Sequence, residues 1–173
     1  MAKIRLGNRY RETLNGIEGV AMSIEKHLTG CDRVTIRTMD KEGKECSLTY
    51  DTTRLKLIPN SSVQEHTPIK SKVKLGQIYQ DRSTGIIGHA IIILERLGLP
   101  HALVSLEYLD SKTGQPIYAH VDEPLLDSYA EIQKAAQKVK DEAASDKKKR
   151  GPGPSPFMHG MSISHGHSRP PQL

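Results

Sequence analysis

Leu6-Gly7-Asn8-Arg9-Tyr10-Arg11-Glu12 is answered later in the chain by Leu75-Gly76-Gln77-Ile78-Tyr79-Gln80-Asp81. From these openings the two stretches stay in step. Gly16-Ile17 matches Gly85-Ile86, Gly19 matches Gly88, Ala21 matches Ala90 and Leu28 matches Leu97. After a one-residue slip Val34 matches Val104 and Asp40 matches Asp110. After another, Gly43 matches Gly114, Asp51 matches Asp122 and Leu55 matches Leu126. The matches fall on glycines, a tyrosine, strand-type apolar residues and turn acids, which is what a duplicated fold retains. No reactive set of side chains is repeated. The pattern therefore speaks for architecture before it speaks for chemistry.

Within each copy, Ile4–Glu12 and Val73–Asp81 read as a first strand with a glycine bend inside it. Asn15-Gly16 and Thr84-Gly85 are turn dipeptides. Ile17–Ile24 and Ile86–Leu94 follow as apolar, β-branched strands, whose second glycine (Gly19, Gly88) predicts a bulge or a close backbone approach. Arg33–Met39 and Ala102–Leu109 alternate with period two. Turns at Lys41–Lys44 and Ser111–Gly114 lead to strands at Cys46–Tyr50 and Ile117–Val121, and closing elements end near Leu55–Ile58 and Leu125-Leu126. Four or five short strands joined by tight turns, without a helix among them, close most readily into a small SH3-like barrel. The expected fold is mainly β: two tandem SH3-like barrels from an internal duplication, then an amphipathic helix and a disordered tail. The expected boundaries are 1–58 for the first barrel, 59–72 for a linker, 73–126 for the second barrel, 127–150 for the helix and 151–173 for a flexible arm rich in Gly, Pro and His.

Composition agrees with small domains. The 173 residues are 36% hydrophobic and 26% charged, with one Phe and no Trp. Two units of this size would each be marginal alone. No apolar run approaches the roughly 18–20 residues that cross a bilayer, so no membrane partner is expected. The start lacks the apolar core of a signal peptide, so synthesis in the cytoplasm is expected.

Charge is uneven. Residues 1–58 carry 11 basic and 8 acidic side chains, a net +3, whereas residues 69–126 carry 6 of each. Cys31 and Cys46 both lie in the first copy and have no cysteine counterparts in the second, where Pro100 and Ile117 stand. If the Asp40–Lys44 turn closes a hairpin, Cys46 faces Thr38. Reduced thiols are expected.

From Tyr129 on, Tyr129, Ile132, Ala136, Val139 and Ala143 recur at helical spacing behind an Asp127-Ser128 cap. Leu125 leads the same thin, alanine-rich stripe. The helix ends in Lys147-Lys148-Lys149-Arg150, cations that suit a C-terminus, before Gly151-Pro152-Gly153-Pro154 stops it.

No phosphate-cradling loop, nucleophile elbow or His-Glu-x-x-His motif occurs. His165-Gly166-His167, with His159 nearby, is the one histidine cluster. Imidazoles bind divalent metals, but ordering a flexible segment opposes it and no carboxylate or thiol is close, so neither metal nor cofactor is expected. The matched acids Glu12/Asp81 and Asp51/Asp122 are expected to accept turn N–H groups rather than to catalyse. The chain is read as a non-enzyme.

Leu6–Thr13, Asn15–Ala21 and His27-Leu28-Thr29-Gly30-Cys31 resemble a family of small uncharacterised proteins of tailed bacteriophages and prophages. Its pattern runs Leu-Gly-x-x-Val-x-Asp, Thr-Gly-Phe-x-Gly-Ile-Ala and Tyr-Leu-Asn-Gly-Cys. Here Glu12 replaces the Asp, Ile17 the Phe, His27 the Tyr and Thr29 the Asn. The second copy keeps the glycines but not the Leu-x-Gly-Cys element. The resemblance implies a phage origin and carries over no functional residue.

The expected function is that of a non-catalytic structural component of a tailed-phage particle, a capsid, connector or tail accessory protein located in the virion and made in the host cytoplasm. Its partners would be other phage structural proteins, with an oligomer possible. Tyr129, Ile132 and Val139 on the helix and Phe157 and Met158 in the arm are the expected contacts. The alternative is a nucleic-acid-binding small-barrel protein using the first barrel and Lys147, Lys148, Lys149 and Arg150, whose affinity would fall steeply with salt.

Overall fold

The computed structural model describes residues 3–149. It divides into two compact units, Met1–Ala135 and Ala136–Leu173. The first holds both sequence copies in one antiparallel sheet. The first copy supplies β1 (Asn8–Glu12), β2 (Glu18–His27), β3 (Arg33–Met39), β4 (Glu45–Asp51) and β5 (Leu55–Ser62), with a 3₁₀ turn, Thr52–Arg54, before β5. The second supplies β6 (Ile78–Asp81), β7 (Ile87–Arg96), β8 (Leu103–Leu109), β9 (Pro116–Asp122) and β10 (Leu126–Ser128), with a 3₁₀ turn, Glu123–Leu125, before β10. Helix α1 (Tyr129–Lys149) follows.

Strand pairing repeats along with the sequence. In the first copy β5 pairs β1, β1 pairs β2, β2 pairs β3 and β3 pairs β4. In the second, β10, β6, β7, β8 and β9 pair in the corresponding order. Tyr10 lies opposite Gly19, and Tyr79 opposite Gly88. The two glycines have a steric reason. A Cβ on Gly19 would stand 2.7 Å from the Arg37 carbonyl oxygen, and one on Gly88 2.7 Å from that of Glu107. The close approach is therefore real, while the register shifts fall later, between Ala21 and Ser23 and between Ala90 and Ile92.

Each copy has its own core. Ala21, Val34 and Ile36 are sealed from solvent in the first, and Ala90, Val104 and Leu106 at the matching places in the second. Burying each larger side chain contributes about 1.5–3 kcal/mol. Each tyrosine hydroxyl ties down its own core entrance. Arg5 N–H donates to Tyr10 Oη at 2.8 Å, and Lys74 N–H to Tyr79 Oη at 2.8 Å.

Where two barrels on a linker were expected, the copies are joined directly. β2 pairs β7 from Ser23↔Arg96 through Glu25↔Leu94 to His27↔Ile92. Outside the strands, Leu28 N–H donates to Ile91 O and Leu97 N–H to Met22 O. Glu25 and Leu94 are themselves equivalent residues, so the pairing runs about a local two-fold axis through that pair.

Several boundaries differ from the sequence reading. Gly7 and Gly76, at φ +81° and +82°, make the turn before β1 and β6 instead of bending a strand. β5 extends through Pro59 to Ser62, into the expected linker. Asp127 and Ser128 belong to β10, because the closing strand needs them against Gln80 and Tyr79. Residues 151–173, and with them the expected arm and its histidines, lie outside the described residues.

Candidate functional surfaces

The matched carboxylates come first, because buried acids are where chemistry would be sought. Glu12 is fully buried at the end of β1. Its Oε2 accepts the N–H groups of Leu14 and Asn15, and its Oε1 accepts Arg54 Nε at 2.9 Å. Burial opposes its charge, but the Asn15 and Leu14 N–H groups and the Arg54 guanidinium outweigh it, holding the carboxyl below its ordinary value. Asp81 does the same work in the second copy with different donors. The Thr84 and Ser83 hydroxyls, then the Ser83 N–H, hold its carboxyl low. Both acids are turn-fixing groups whose acceptor sites are already engaged. Asp51 and Asp122, read alike from sequence, differ: each precedes its 3₁₀ turn without a side-chain cap. Arg33 Nε lies 3.9 Å from Asp51 instead.

A serine–histidine pair was not singled out by sequence reading. Ser105 Oγ and His120 Nδ1 are 2.9 Å apart on β8 and β9. Their equivalents, Thr35 and Thr49, also place side-chain oxygens 2.9 Å apart. What the copies share is a cross-strand hydrogen bond, not a nucleophile and base.

The junction holds a cavity of about 430 Å³, lined among others by Arg5, Ile24, Lys26, His66, Ile69 and Glu95. Lys26 Nζ donates to the buried Glu95 Oε1 within it. A wider groove of about 980 Å³ runs between residues 65–74 and the end of the second copy, past Tyr79, Leu99, Pro124 and Leu126. Its rim mixes Lys70, Lys72 and Arg82 with Glu123 and Asp127, so it favours no single sign of charge.

No protein-family model matches the chain, and neither a curated protein nor a solved structure matches it.

Of the expected contact residues, Tyr129 and Ile132 are half-buried and Val139 is 65% exposed. Phe157, Met158 and Arg150 lie outside the described residues, as do the side chains of Lys147, Lys148 and Lys149. Cys31 and Cys46 are free thiols, and Cys46 does face Thr38. Among the described residues, no helix is long and apolar enough to cross a membrane.

Several of the first copy's arginines lie near carboxylates, two of them in close pairs. Arg11 meets Glu18 at 2.5 Å, Arg9 meets the same Glu18 at 4.0 Å, Arg37 meets Glu45 at 3.9 Å and Arg54 meets Glu12 at 2.8 Å. Arg54 also lies 5.4 Å from the centre of the Tyr50 ring.

Proposed function

We propose that the protein is a non-catalytic structural component of a tailed-phage particle, acting through protein–protein contacts. The observation that carries this reading is α1. Its 21 residues are polar on average, and Val139 on its apolar stripe stands 65% exposed. In this reading a partner surface covers the exposed part of the stripe. Tyr129, Ile132 and Val139 are the contacts the helix offers, and the Gly/Pro-rich arm with Phe157 and Met158 extends them. The first copy's resemblance to a phage-encoded family supplies the setting, the virion.

In the same reading each copy is an SH3-like barrel. The support is strand order: β5-β1-β2-β3-β4, with a 3₁₀ turn between the fourth and fifth strands, repeated as β10-β6-β7-β8-β9. The reading as a non-enzyme draws on the turn-fixing work of Glu12 and Asp81.

We place second the rival reading, nucleic-acid binding through the first barrel and Lys147–Arg150, because Arg11 and Arg54 are already held by the carboxylates of Glu18 and Glu12. Phosphate contact would have to displace them.

Mass spectrometry of purified particles of the encoding phage is the test, with the chain expected among the particle proteins. Its absence from particles, or salt-sensitive binding to DNA or RNA by the purified chain, would replace this reading with the rival.

A further inference from the structure

The two copies differ at one place beside their junction. Lys3, Arg5 and Thr52 of the first copy correspond to Lys72, Lys74 and Glu123 of the second. The backbone fixes the last of these matches. Thr52 N–H donates to Asp32 O at 3.0 Å, and Glu123 N–H to the equivalent Ala102 O at 2.9 Å. In the second copy Glu123 Oε1 accepts the Lys72 N–H at 2.5 Å, so a carboxylate stands beside this basic segment. The first copy keeps both cations but has a threonine in place of the glutamate. Lys3, Arg5 and Thr52 instead line the junction cavity of about 430 Å³.

Other groups in the same cavity suit an anion. His66, from the segment between the copies, has a buried Nε2 with no hydrogen-bond partner among the described residues. Buried polar atoms of this kind call for a partner. Lys26 is matched by Glu95. That leaves Lys3 and Arg5 against Asp32, none of them in an ion pair among the described residues, and a balance of one positive charge. The rest of the wall is largely apolar: Ile4 and Ile24 pack against the first core, and Ile69 against the second. A space of this size, with apolar walls and a few convergent polar groups, is suited to a small molecule.

We propose that the junction cavity binds a small organic acid as its monocarboxylate. The carboxylate lies among Lys3, Arg5 and His66, taking the part that the Glu123 side chain plays in the second copy. A short apolar chain lies against Ile4, Ile24 and Ile69. A second negative charge would exceed the balance of the site, so inorganic phosphate fits it less well. This inference is independent of the proposed place in a phage particle.

Pentanoate is the probe, titrated into the full chain while the His66 ring resonances are followed by NMR. The His66→Gln variant identifies those resonances by their loss. They are expected to move saturably with pentanoate and to stay still with pentanamide, which carries the same chain without the charge. Thr52→Glu gives the first copy the carboxylate that the second already carries, and is expected to weaken pentanoate binding at least about tenfold. Arg5→Gln is expected to weaken it at least about fivefold. Circular dichroism melts establish that each variant is folded, and Arg5→Gln decides if Thr52→Glu is not. His66 resonances that pentanoate leaves unmoved overturn the proposal. So does an equal response to pentanamide, tighter binding of inorganic phosphate than of pentanoate, or binding that Thr52→Glu and Arg5→Gln both retain.

Discussion

Lys26 and Glu95 occupy the same position in the two copies, yet they form an ion pair with each other. This follows from the local two-fold axis through Glu25 and Leu94: equivalent residues flanking that axis meet. Had the copies stayed identical here, the pair would be two lysines or two glutamates with their charges opposed. One of each at the equivalent places makes the contact attractive and favours pairing of the first copy with the second over either copy with its own kind.

Breaking that pair should cost stability, because Glu95 is buried while Lys26 is partly in solvent. Lys26→Ala leaves a poorly solvated carboxylate and is expected to cost on the order of 1–3 kcal/mol. Lys26→Glu should cost more. The exchanged double variant, Lys26→Glu with Glu95→Lys, should recover most of the loss. Urea unfolding of the four proteins gives the coupling energy. A double variant as unstable as the sum of its parts would show that the two side chains act independently.

The glycine pairs make a sharp contrast. Gly88→Ala drives a methyl group into the Glu107 carbonyl and is expected to cost about 3 kcal/mol, near the upper end for overpacking. Gly85→Ala meets nothing within 4 Å and bears only its φ of +75°, for a cost of about 1 kcal/mol. Thermal melts of the two variants should therefore be well separated, with Gly19→Ala following Gly88→Ala. Equal melting points for Gly88→Ala and Gly85→Ala would refute the close-approach account.

Acid should loosen both turns. The folded carboxyls of Glu12 and Asp81 titrate below their ordinary values of 4.5 and 3.8. Groups lowered in this way contribute stability above the ordinary values, and that contribution is lost as pH falls through the lowered ones. Stability is expected to be flat from neutral pH into the mildly acidic range and to fall below it. Glu12→Gln should flatten that fall while lowering stability at neutral pH. Urea midpoints measured against pH check this, and parallel curves for the two proteins would count against it.

The tyrosine hydroxyls should be equivalent. Tyr10→Phe and Tyr79→Phe each strip the acceptor from one N–H, that of Arg5 or Lys74. Each is expected to cost about 1–2 kcal/mol. The two lie in separate cores, so the double variant should show their sum. A large effect in one copy alone would mean the duplication is not mechanical at this point.

Sequence alone determined the repeating frame. Its glycines, core valines and tyrosines recur in step, and local sterics dictate such residues: Gly19 and Gly88 because a Cβ has no room, Val34 and Val104 because each fills its own core. The turn work of Glu12 and Asp81 was legible for the same reason, since each accepting carboxylate and the turn groups that donate to it lie within three residues of one another. Asp51 and Asp122 were misread because matching position does not bring a donor within reach.

Only the tertiary structure decided how the copies meet. Nothing in Ser23–His27 or Ile92–Arg96 announces a partner, since strand edges pair through backbone groups that every residue carries. Once β2 lies against β7, Lys26 finds Glu95. The junction cavity has the same origin. Arg5, Thr52 and His66 are scattered along the chain, and line one cavity only when the copies and the segment between them are packed together.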